Sequence, residues 1–291
     1  MEIRIFRCVS TRFRDLALLP SLELRQILEL DGTTFASRSA EGVMDLRLRG
    51  KVSIVTGSAS LTGYGRGIAK SLAQEGCAVV VADIDGEGAI RVAQELHSLG
   101  ASALPVKVDV RNRAEVEEMV TASLKEFGKI DILINNAGTS SPLKPFVQMT
   151  KEDWDLDIGV NLYGQMNVAQ AVLPHMISRG YGRIVNISGG QGIPNISVYG
   201  AAKAGIVAFT RALAAEVAQY GIIVNCVVPG LGDTGLTASA PKQFKEAYKA
   251  HSMLKRLCTP EDVGPLVAFL SSDVCSYMSG QVIYLSTQIA I

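Results

Sequence analysis

The feature that most constrains this chain is the regular alternation of short apolar runs with longer helical stretches after residue 44. Each apolar run has the length of a buried strand, and the segment behind it has the spacing of a helix. The predicted strands are 52–56, 78–82, 104–108, 130–134, 183–187 and 222–228, and the predicted helices are 65–76, 86–99, 112–127, 152–179 and 198–220. Strand and helix in turn predict an α/β fold, a doubly wound parallel sheet of the Rossmann type with ligands at the carboxyl ends of its strands.

Composition excludes several classes of function. The 28 basic and 28 acidic residues cancel, which argues against nucleic acid or an acidic membrane surface as a partner. The five cysteines form no Cys-x-x-Cys pair, and the three histidines are dispersed, so we expect free thiols in a reducing compartment and no metal site. No apolar stretch approaches the length that spans a bilayer. We therefore expect a cytoplasmic protein.

Residues 1–43 differ from the rest of the chain. They combine early arginines with a leucine-rich piece, and three interpretations remain open: a removable targeting segment, an accessory helix near 21–30, or a poorly ordered extension. Acidic Glu2 and Asp15 weaken the first. We expect a single Rossmann-type domain over residues 44–291, behind this N-terminal extension.

A glycine-rich turn follows the first predicted strand and leads directly into a helix. Gly57, Gly63 and Gly65 permit close backbone approach, and the free amides at the helix start favour a pyrophosphate. Asp83 closes the second strand about 20 residues further on, where a carboxylate can accept both ribose hydroxyls and repel a 2′-phosphate. This pairing predicts a dinucleotide site that favours NAD(H) over NADP(H).

Tyr199 and Lys203 stand four residues apart in a predicted helix. That spacing places them on one face, about 6 Å apart along the axis. An ammonium at this distance is expected to lower the pKa of the phenol, which would otherwise be a poor proton carrier at neutral pH. The pair predicts a proton-transfer site.

With these residues assembled, the chain resembles the short-chain dehydrogenase/reductase family over about residues 44–285. The matching motifs occur in the family order: the glycine turn, Asp83, Asp109-Val110, Asn135-Asn136-Ala137-Gly138, Asn161, Ser188, Tyr199 with Lys203, and Pro229-Gly230 with Thr234. The Asn-Asn-Ala-Gly motif behind a strand, together with Tyr-x-x-x-Lys in a helix, is specific to this family.

The resemblance implies a role for each matched residue. It implies that Tyr199 exchanges a proton with the substrate oxygen, that Ser188 donates a hydrogen bond to that oxygen, and that Asn161 anchors a water beside Lys203. It further implies a cofactor cleft lined by Gly57, Gly63, Tyr64, Gly65, Asp83, Asp109, Val110, Asn136, Ala137, Gly138, Tyr199, Lys203, Pro229, Gly230 and Thr234. The implied activity interconverts a secondary alcohol and a ketone by hydride transfer with NAD(H).

Three departures from the family pattern keep a second function open. The glycine turn has five residues between Gly57 and Gly63 instead of three, so Ser60, Leu61 and Thr62 must bulge outward. Gly189 stands where the catalytic serine often falls, so Ser188 either serves instead or points away from the substrate. The C-terminal segment also lacks the usual Asp-Gly-Gly. The alternative is a catalytically weakened or inactive homologue that binds nucleotide or acts as a scaffold.

The resemblance also implies an assembly and a lid. The two long helices at 152–179 and 198–220 build the dimer contact in related proteins, so we expect a homodimer or homotetramer. Residues 231–256 are expected to form a lid over a moderately apolar pocket for a small-molecule alcohol or ketone. The identity of the substrate is not readable from the sequence.

Overall fold

The computed structural model describes residues 44–238 and 240–287. The seven strands in this part of the chain each begin and end within about two residues of an apolar run. They are β1 (Val52–Thr56), β2 (Ala78–Asp83), β3 (Ala103–Lys107), β4 (Ile132–Asn135), β5 (Gly182–Ile187), β6 (Ile222–Pro229) and β7 (Val282–Leu285). The N-terminal extension over residues 1–43, and the interpretations offered for it, lie outside the described residues.

Helices connect these strands. They are α1 (Tyr64–Gln74), α2 (Gly86–Ser98), α3 (Arg113–Phe127), α4 (Lys151–Ile158), α5 (Gly164–Arg179), α6 (Ser197–Val217), α7 (Lys242–His251) and α8 (Pro260–Leu270). Several begin with a side-chain cap that satisfies free amides of the first turn. Asp85 caps α2, Asn112 caps α3, and Thr150 forms a reciprocal capping box with Asp153 at the start of α4.

The strands form one parallel sheet in the order β3-β2-β1-β4-β5-β6-β7. Each neighbouring pair is parallel, and the chain reverses its direction of travel across the sheet between β1 and β4, where Ser53 pairs with Ile132. Loops on the two sides of such a switch point diverge and leave a crevice at the carboxyl ends of the strands. The α/β, doubly wound parallel sheet expected from the alternation is confirmed.

Two hydrophobic clusters lie on opposite faces of the sheet because successive strand residues point to opposite sides. In β1, Val55 packs into the cluster under α1, α2 and α8, whereas Ile54 packs into the cluster under α3, α5 and α6. Strands buried on both faces read as continuous apolar runs, which is why the sequence locates them well.

Two parts of the helical layer differ from the sequence-based expectation. The helix predicted over 152–179 is interrupted by a π-helical turn at Gly159–Tyr163, which joins α4 to α5. Helix α8 was not predicted, because Gly264 and Pro265 interrupt its helical pattern; a capping box between Thr259 and Asp262 nevertheless starts it, with Pro260 in the first turn. Among residues 44–238 and 240–287, no helix has the length and apolarity needed to cross a bilayer.

Candidate active site

The glycine turn between β1 and α1 is compact at its base and open at its tip. Gly57 has φ +65°, and a Cβ added there would lie 2.6 Å from the Ala137 Cα. A Cβ added at Gly65 would lie 2.2 Å from the Gly57 carbonyl oxygen, so neither position has room for a side chain. The three residues expected to bulge outward, 60–62, are exposed.

Asn136 and Thr56 fasten this turn to the loop behind β4. The Asn136 Nδ2 donates to the carbonyl oxygens of Thr56 and Gly57, at 3.0 and 2.8 Å. In return, the Thr56 Oγ1 accepts from the backbone amides of Asn136 and Ala137, both at 3.0 Å. The two loops flanking the switch point are therefore held as one unit.

Asp83 lies at the end of β2 with its carboxylate directed to the same turn. It accepts from the backbone amide of Ala59 at 2.8 Å and from that of Asp85 at 3.0 Å. The strand end and the turn are thus in contact, as the spacing between the glycines and this acid predicts.

Asp109 has its carboxylate taken up by a neighbour. The Arg111 guanidinium binds it from Nε and Nη2, at 3.0 and 2.6 Å, and holds the pKa of the Asp109 carboxyl below its usual range. The next residue, Val110, is buried against Gly164 at the start of α5. The Asp109-Val110 motif therefore packs the chain behind β3 against the start of α5, next to the π turn.

Tyr199 and Lys203 lie in the first two turns of α6 and are both buried. The Lys203 Nζ lies 5.8 Å from the centroid of the Tyr199 ring and donates to the Ile187 carbonyl oxygen at 3.1 Å. The side of the Tyr199 ring packs against Gly190, where an added Cβ would lie 2.5 Å from the ring. The two side chains are brought together as their spacing predicts.

The pKa values of this pair are governed first by burial. Burial, with a smaller contribution from the carboxylate of Asp157, raises the pKa of Tyr199 to about 12. Burial also lowers the pKa of Lys203 to about 8. The expected net lowering of the Tyr199 pKa is therefore not found in this structure, because burial disfavours the charged phenolate.

Asn161 lies in the π turn and faces Lys203 across Gly138. Its Nδ2 donates to the carbonyl oxygens of Thr139 and Asp157, at 2.7 and 2.8 Å. A Cβ added at Gly138 would lie 2.9 Å from the Asn161 Oδ1 and 3.3 Å from the Lys203 Nζ. Single π turns are common at functional sites because they turn one side chain out of the regular helical phase.

Ser188 follows β5 and is buried, and its hydroxyl is engaged in two hydrogen bonds. Its Oγ donates to the Lys203 carbonyl oxygen at 2.7 Å and accepts from the Gln191 Nε2 at 3.2 Å. A hydroxyl has one proton to donate. That proton is donated to the Lys203 carbonyl oxygen in this structure, and both alternatives for Ser188 stay predictions.

Gly189 has φ +146°, and no atom lies within 4 Å of a Cβ added there. The position where the family often has its serine therefore offers open space without a side chain. Glycine is required here by the backbone conformation rather than by crowding.

Asp157 is a site residue that the sequence analysis missed. It is fully buried in α4, and its carboxylate accepts hydrogen bonds from the backbone amide and the hydroxyl of Ser141. One signal was available, because Asp157 stands four residues before Asn161 and therefore shares its side of the helix.

The last part of the site is the loop behind β6. Pro229 ends the strand, and the Gly230 amide donates to the Leu285 carbonyl oxygen at 2.8 Å. Thr234 begins a short 3₁₀ turn and donates through its amide to the Thr237 Oγ1. Tyr64, in the glycine turn, donates its hydroxyl to the Gly230 carbonyl oxygen at 2.9 Å, so this loop and the turn are joined.

The described residues fit a dinucleotide. Helix α1 begins at an N-terminal cap, Gly63, that makes no side-chain hydrogen bond, and its first turn has no acidic residue. The first amides of the helix are thus free to bind an anion, beside two glycines whose missing side chains leave the backbone accessible. Asp83 stands at the neighbouring strand end, where a ribose would lie.

Comparison with known proteins agrees with this arrangement. A family model described as enoyl-(acyl carrier protein) reductase matches residues 57–287. A 3-oxoacyl-[acyl-carrier-protein] reductase of Thermotoga maritima is 39% identical over 241 residues, which cover 82% of this chain and 97% of the relative. The chain belongs to the short-chain dehydrogenase/reductase family.

Two further members of this family are similar to the chain. Cis-4-hydroxycyclohexanecarboxylate dehydrogenase of Sinomonas cyclohexanicum is 39% identical over 236 residues, covering 80% of this chain and 94% of the relative. A solved 7α-hydroxysteroid dehydrogenase, in complex with NADH and 7-oxo glycochenodeoxycholic acid, is 31% identical with a TM-score of 0.79, covering 84% of this chain and 95% of that one. As a member of the short-chain dehydrogenase/reductase family, the chain is an oxidoreductase that uses a nicotinamide cofactor.

Proposed function

We propose that this chain interconverts a secondary alcohol and a ketone with NAD(H), using Tyr199 as the proton-transfer residue. One observation carries the proposal. Tyr199 and Lys203 are buried side by side at the carboxyl edge of the sheet, and Asn161 meets Lys203 across Gly138. A buried phenol, ammonium and amide assembled next to a dinucleotide cradle suit proton exchange coupled to hydride transfer.

Each of these side chains has a separate role in the proposal. The nicotinamide supplies or accepts the hydride when it is bound. The Tyr199 hydroxyl gives its proton to the substrate oxygen in reduction and takes it back in oxidation. Lys203 stabilises the tyrosinate that forms, and Asn161 holds a water that links Lys203 to solvent.

The preference for NAD(H) rests on Asp83. Its carboxylate lies at the end of β2 and is tied to the glycine turn through the Ala59 amide. A carboxylate in this place accepts from ribose hydroxyls and repels a 2′-phosphate.

The substrate we propose is a ring-containing secondary alcohol or ketone of moderate polarity. Residues of the segment behind β6 that face solvent include large apolar side chains, namely Leu236, Phe244, Met253 and Leu254. Two of the similar proteins are named for cyclic substrates, a hydroxycyclohexanecarboxylate and a 7-oxo steroid acid.

The test is a panel of cyclic and linear ketones and secondary alcohols, offered with NAD(H) and with NADP(H) and followed by absorbance of the reduced nicotinamide. Tyr199→Phe should lower kcat by roughly 10²- to 10⁴-fold, the usual contribution of general acid–base catalysis. NADH binding, measured by fluorescence, should persist. The matched control is Tyr220→Phe, at an exposed tyrosine in the 3₁₀ turn that follows α6. Undiminished hydride transfer in Tyr199→Phe would remove the phenol from the mechanism.

A second candidate function is a weakened or inactive homologue that retains nucleotide binding. The observation in its favour is that the Ser188 hydroxyl is engaged by Lys203, while Gly189 has no side chain to offer. Loss of one polarising donor can cost about 10² to 10³ in rate. Tight NADH binding without turnover across the whole panel would favour this function.

We further propose a homodimer or homotetramer in the cytoplasm. Helix α6 presents the small side chains Ala201, Ala204 and Ala208 to solvent, and small residues in such a row allow close helix packing. Light scattering at micromolar concentration tests the assembly, and a stable monomer would contradict it.

A further inference from the structure

One peptide group behind β6 has both of its polar atoms bound by tyrosine hydroxyls. Tyr64 donates to the Gly230 carbonyl oxygen at 2.9 Å. The Leu231 amide of the same peptide group donates to the Tyr248 hydroxyl at 3.1 Å. The two tyrosines come from different parts of the fold, since Tyr64 is the first residue of α1 and Tyr248 lies in α7.

Tyr64 is held firmly in this position. A Cβ added at Gly232 would lie 2.1 Å from the Tyr64 hydroxyl, so the glycine is what admits the ring. The Cys258 thiol lies beside the same hydroxyl, and burial raises the pKa of Tyr64. The hydroxyl is therefore placed to donate to the Gly230 carbonyl oxygen.

Tyr248 is one of the few attachments of α7. No residue of this helix is fully buried, so packing holds it only weakly. The helix is held by the Tyr248 hydroxyl, by an ion pair from Lys245 to Asp233, and at its end by the Met253 amide, which donates to the Thr287 carbonyl oxygen. A helix held by few polar contacts moves when one of them is altered.

The bulge of the glycine turn reaches the same segment. A Cβ added at Gly235 would lie 3.0 Å from the Ser60 Oγ. Ser60 is one of the residues by which this turn exceeds the usual length, so the longer turn touches the loop that leads into α7.

We propose that Tyr64 and Tyr248 are positioning residues that couple the glycine turn to helix α7 through the Gly230–Leu231 peptide group. A dinucleotide bound at the glycine turn would then set the position of helix α7, which borders the substrate. The coupling between the glycine turn and α7 does not require a cofactor. The further claim that NADH binding acts on α7 through this coupling rests on the proposed function.

The first arm of the test uses hydrogen exchange of the protein alone. Tyr64→Phe removes only the hydroxyl of the turn, and exchange in peptides covering residues 229–238 and 242–251 should quicken by about fivefold, the equivalent of one net hydrogen bond. Reciprocally, Tyr248→Phe should quicken exchange at residues 57–67, because coupling acts in both directions. A peptide covering β5 should exchange as in the parent protein.

The second arm adds NADH at saturating concentration. In the parent protein NADH should slow exchange at residues 242–251, and in Tyr64→Phe this slowing should shrink by about half or more while NADH still binds. Equal slowing in both proteins, or a change confined to residues 229–238 in the first arm, would overturn the coupling. If the parent protein binds no NADH, the proposed function fails, and the first arm alone decides the coupling.

The matched control is Tyr277→Phe. This tyrosine is fully exposed and far along the chain from both segments. It should leave exchange at residues 57–67 and 242–251 unchanged. A change as large as that of Tyr64→Phe would show that loss of a tyrosine hydroxyl acts without the shared peptide group.

Discussion

Asp157 receives both of the hydrogen bonds that Ser141 can donate. Its Oδ1 accepts from the Ser141 amide at 2.7 Å and its Oδ2 from the Ser141 hydroxyl at 2.9 Å. The Asp157 carbonyl oxygen also accepts from Asn161, so one buried residue joins the loop behind β4 to the π turn. The same carboxylate is the second cause, behind burial, of the raised pKa of Tyr199.

Asp157→Asn should shift the pH profile of alcohol oxidation to lower pH. The neutral amide keeps the shape of the carboxylate but removes the charge that disfavours tyrosinate. The pKa of Tyr199 therefore falls, and the tyrosinate forms at lower pH. The measurement is kcat/KM against pH from 6 to 11. Asp155→Asn, an exposed acid on the same helix paired with Lys151, is the control. Coincident profiles for the parent and Asp157→Asn would contradict the prediction.

Gly189→Ser and Gly189→Ala form a pair that isolates a hydroxyl. Both substitutions place a side chain at φ +146°, so both should cost about 1–3 kcal/mol of unfolding free energy through backbone strain. Because the added side chain meets open space, the serine hydroxyl is free to donate to a substrate oxygen, and we expect Gly189→Ser to exceed Gly189→Ala in kcat by up to about 10²-fold. Equal kcat values for the two variants would show that a missing hydroxyl does not limit the rate.

The buried Lys203 should make stability rise with pH. Its pKa is lowered by burial from the usual 10.5 to about 8, so above pH 8 the folded protein has released a proton that the unfolded chain still binds. The free energy of unfolding therefore increases with pH in this window. We expect the parent protein to gain about 2 kcal/mol more than Lys203→Met between pH 7 and 9.5, from 1.36 kcal/mol for each unit of pKa difference.

Urea denaturation at several pH values measures this gain. Lys242→Met, at an exposed lysine of α7, is the control and should track the parent. If the difference in unfolding free energy between the parent and Lys203→Met stayed constant with pH, Lys203 would not be the titrating group.

Asp83→Ser should weaken the selection of NADH. The variant removes the carboxylate that disfavours a 2′-phosphate, so the ratio of kcat/KM for NADPH to that for NADH should rise by about tenfold or more. It should also lower stability by about 1–3 kcal/mol, because the Ala59 amide loses its acceptor. Asp85→Ala removes the cap of α2 instead, and should cost about 1 kcal/mol without a change in that ratio. If Asp83→Ser left the ratio unaltered, another residue would select the cofactor.

Strands and motifs were readable from the sequence because their signals are local. The apolar runs of a doubly buried parallel sheet locate β1 to β6, and the family motifs place Tyr199, Lys203 and Asn161 together. Side-chain direction was not readable in the same way. Ser188 engages the Lys203 carbonyl oxygen because α6 begins close to β5, and no spacing in the sequence reports that distance.

Contacts between distant parts of the chain were also missed. Tyr64 and Gly230 are separated by 166 positions, and only the folded sheet brings α1 beside the loop behind β6. The pKa of Tyr199 was misjudged for a related reason. The helical spacing reports a nearby ammonium, whereas the degree of burial depends on Gly190 and the rest of the packed site.

The π turn at Gly159–Tyr163 limits how the chain can be recombined with its relatives. It holds one more residue than an α-helical turn would need, so the positions before and after it are out of step by one. Deleting a single residue there would restore an unbroken helix and rotate Asn161 by about 100° away from Lys203. A chimaera that joins segments within this stretch must therefore conserve the number of residues rather than the helical period.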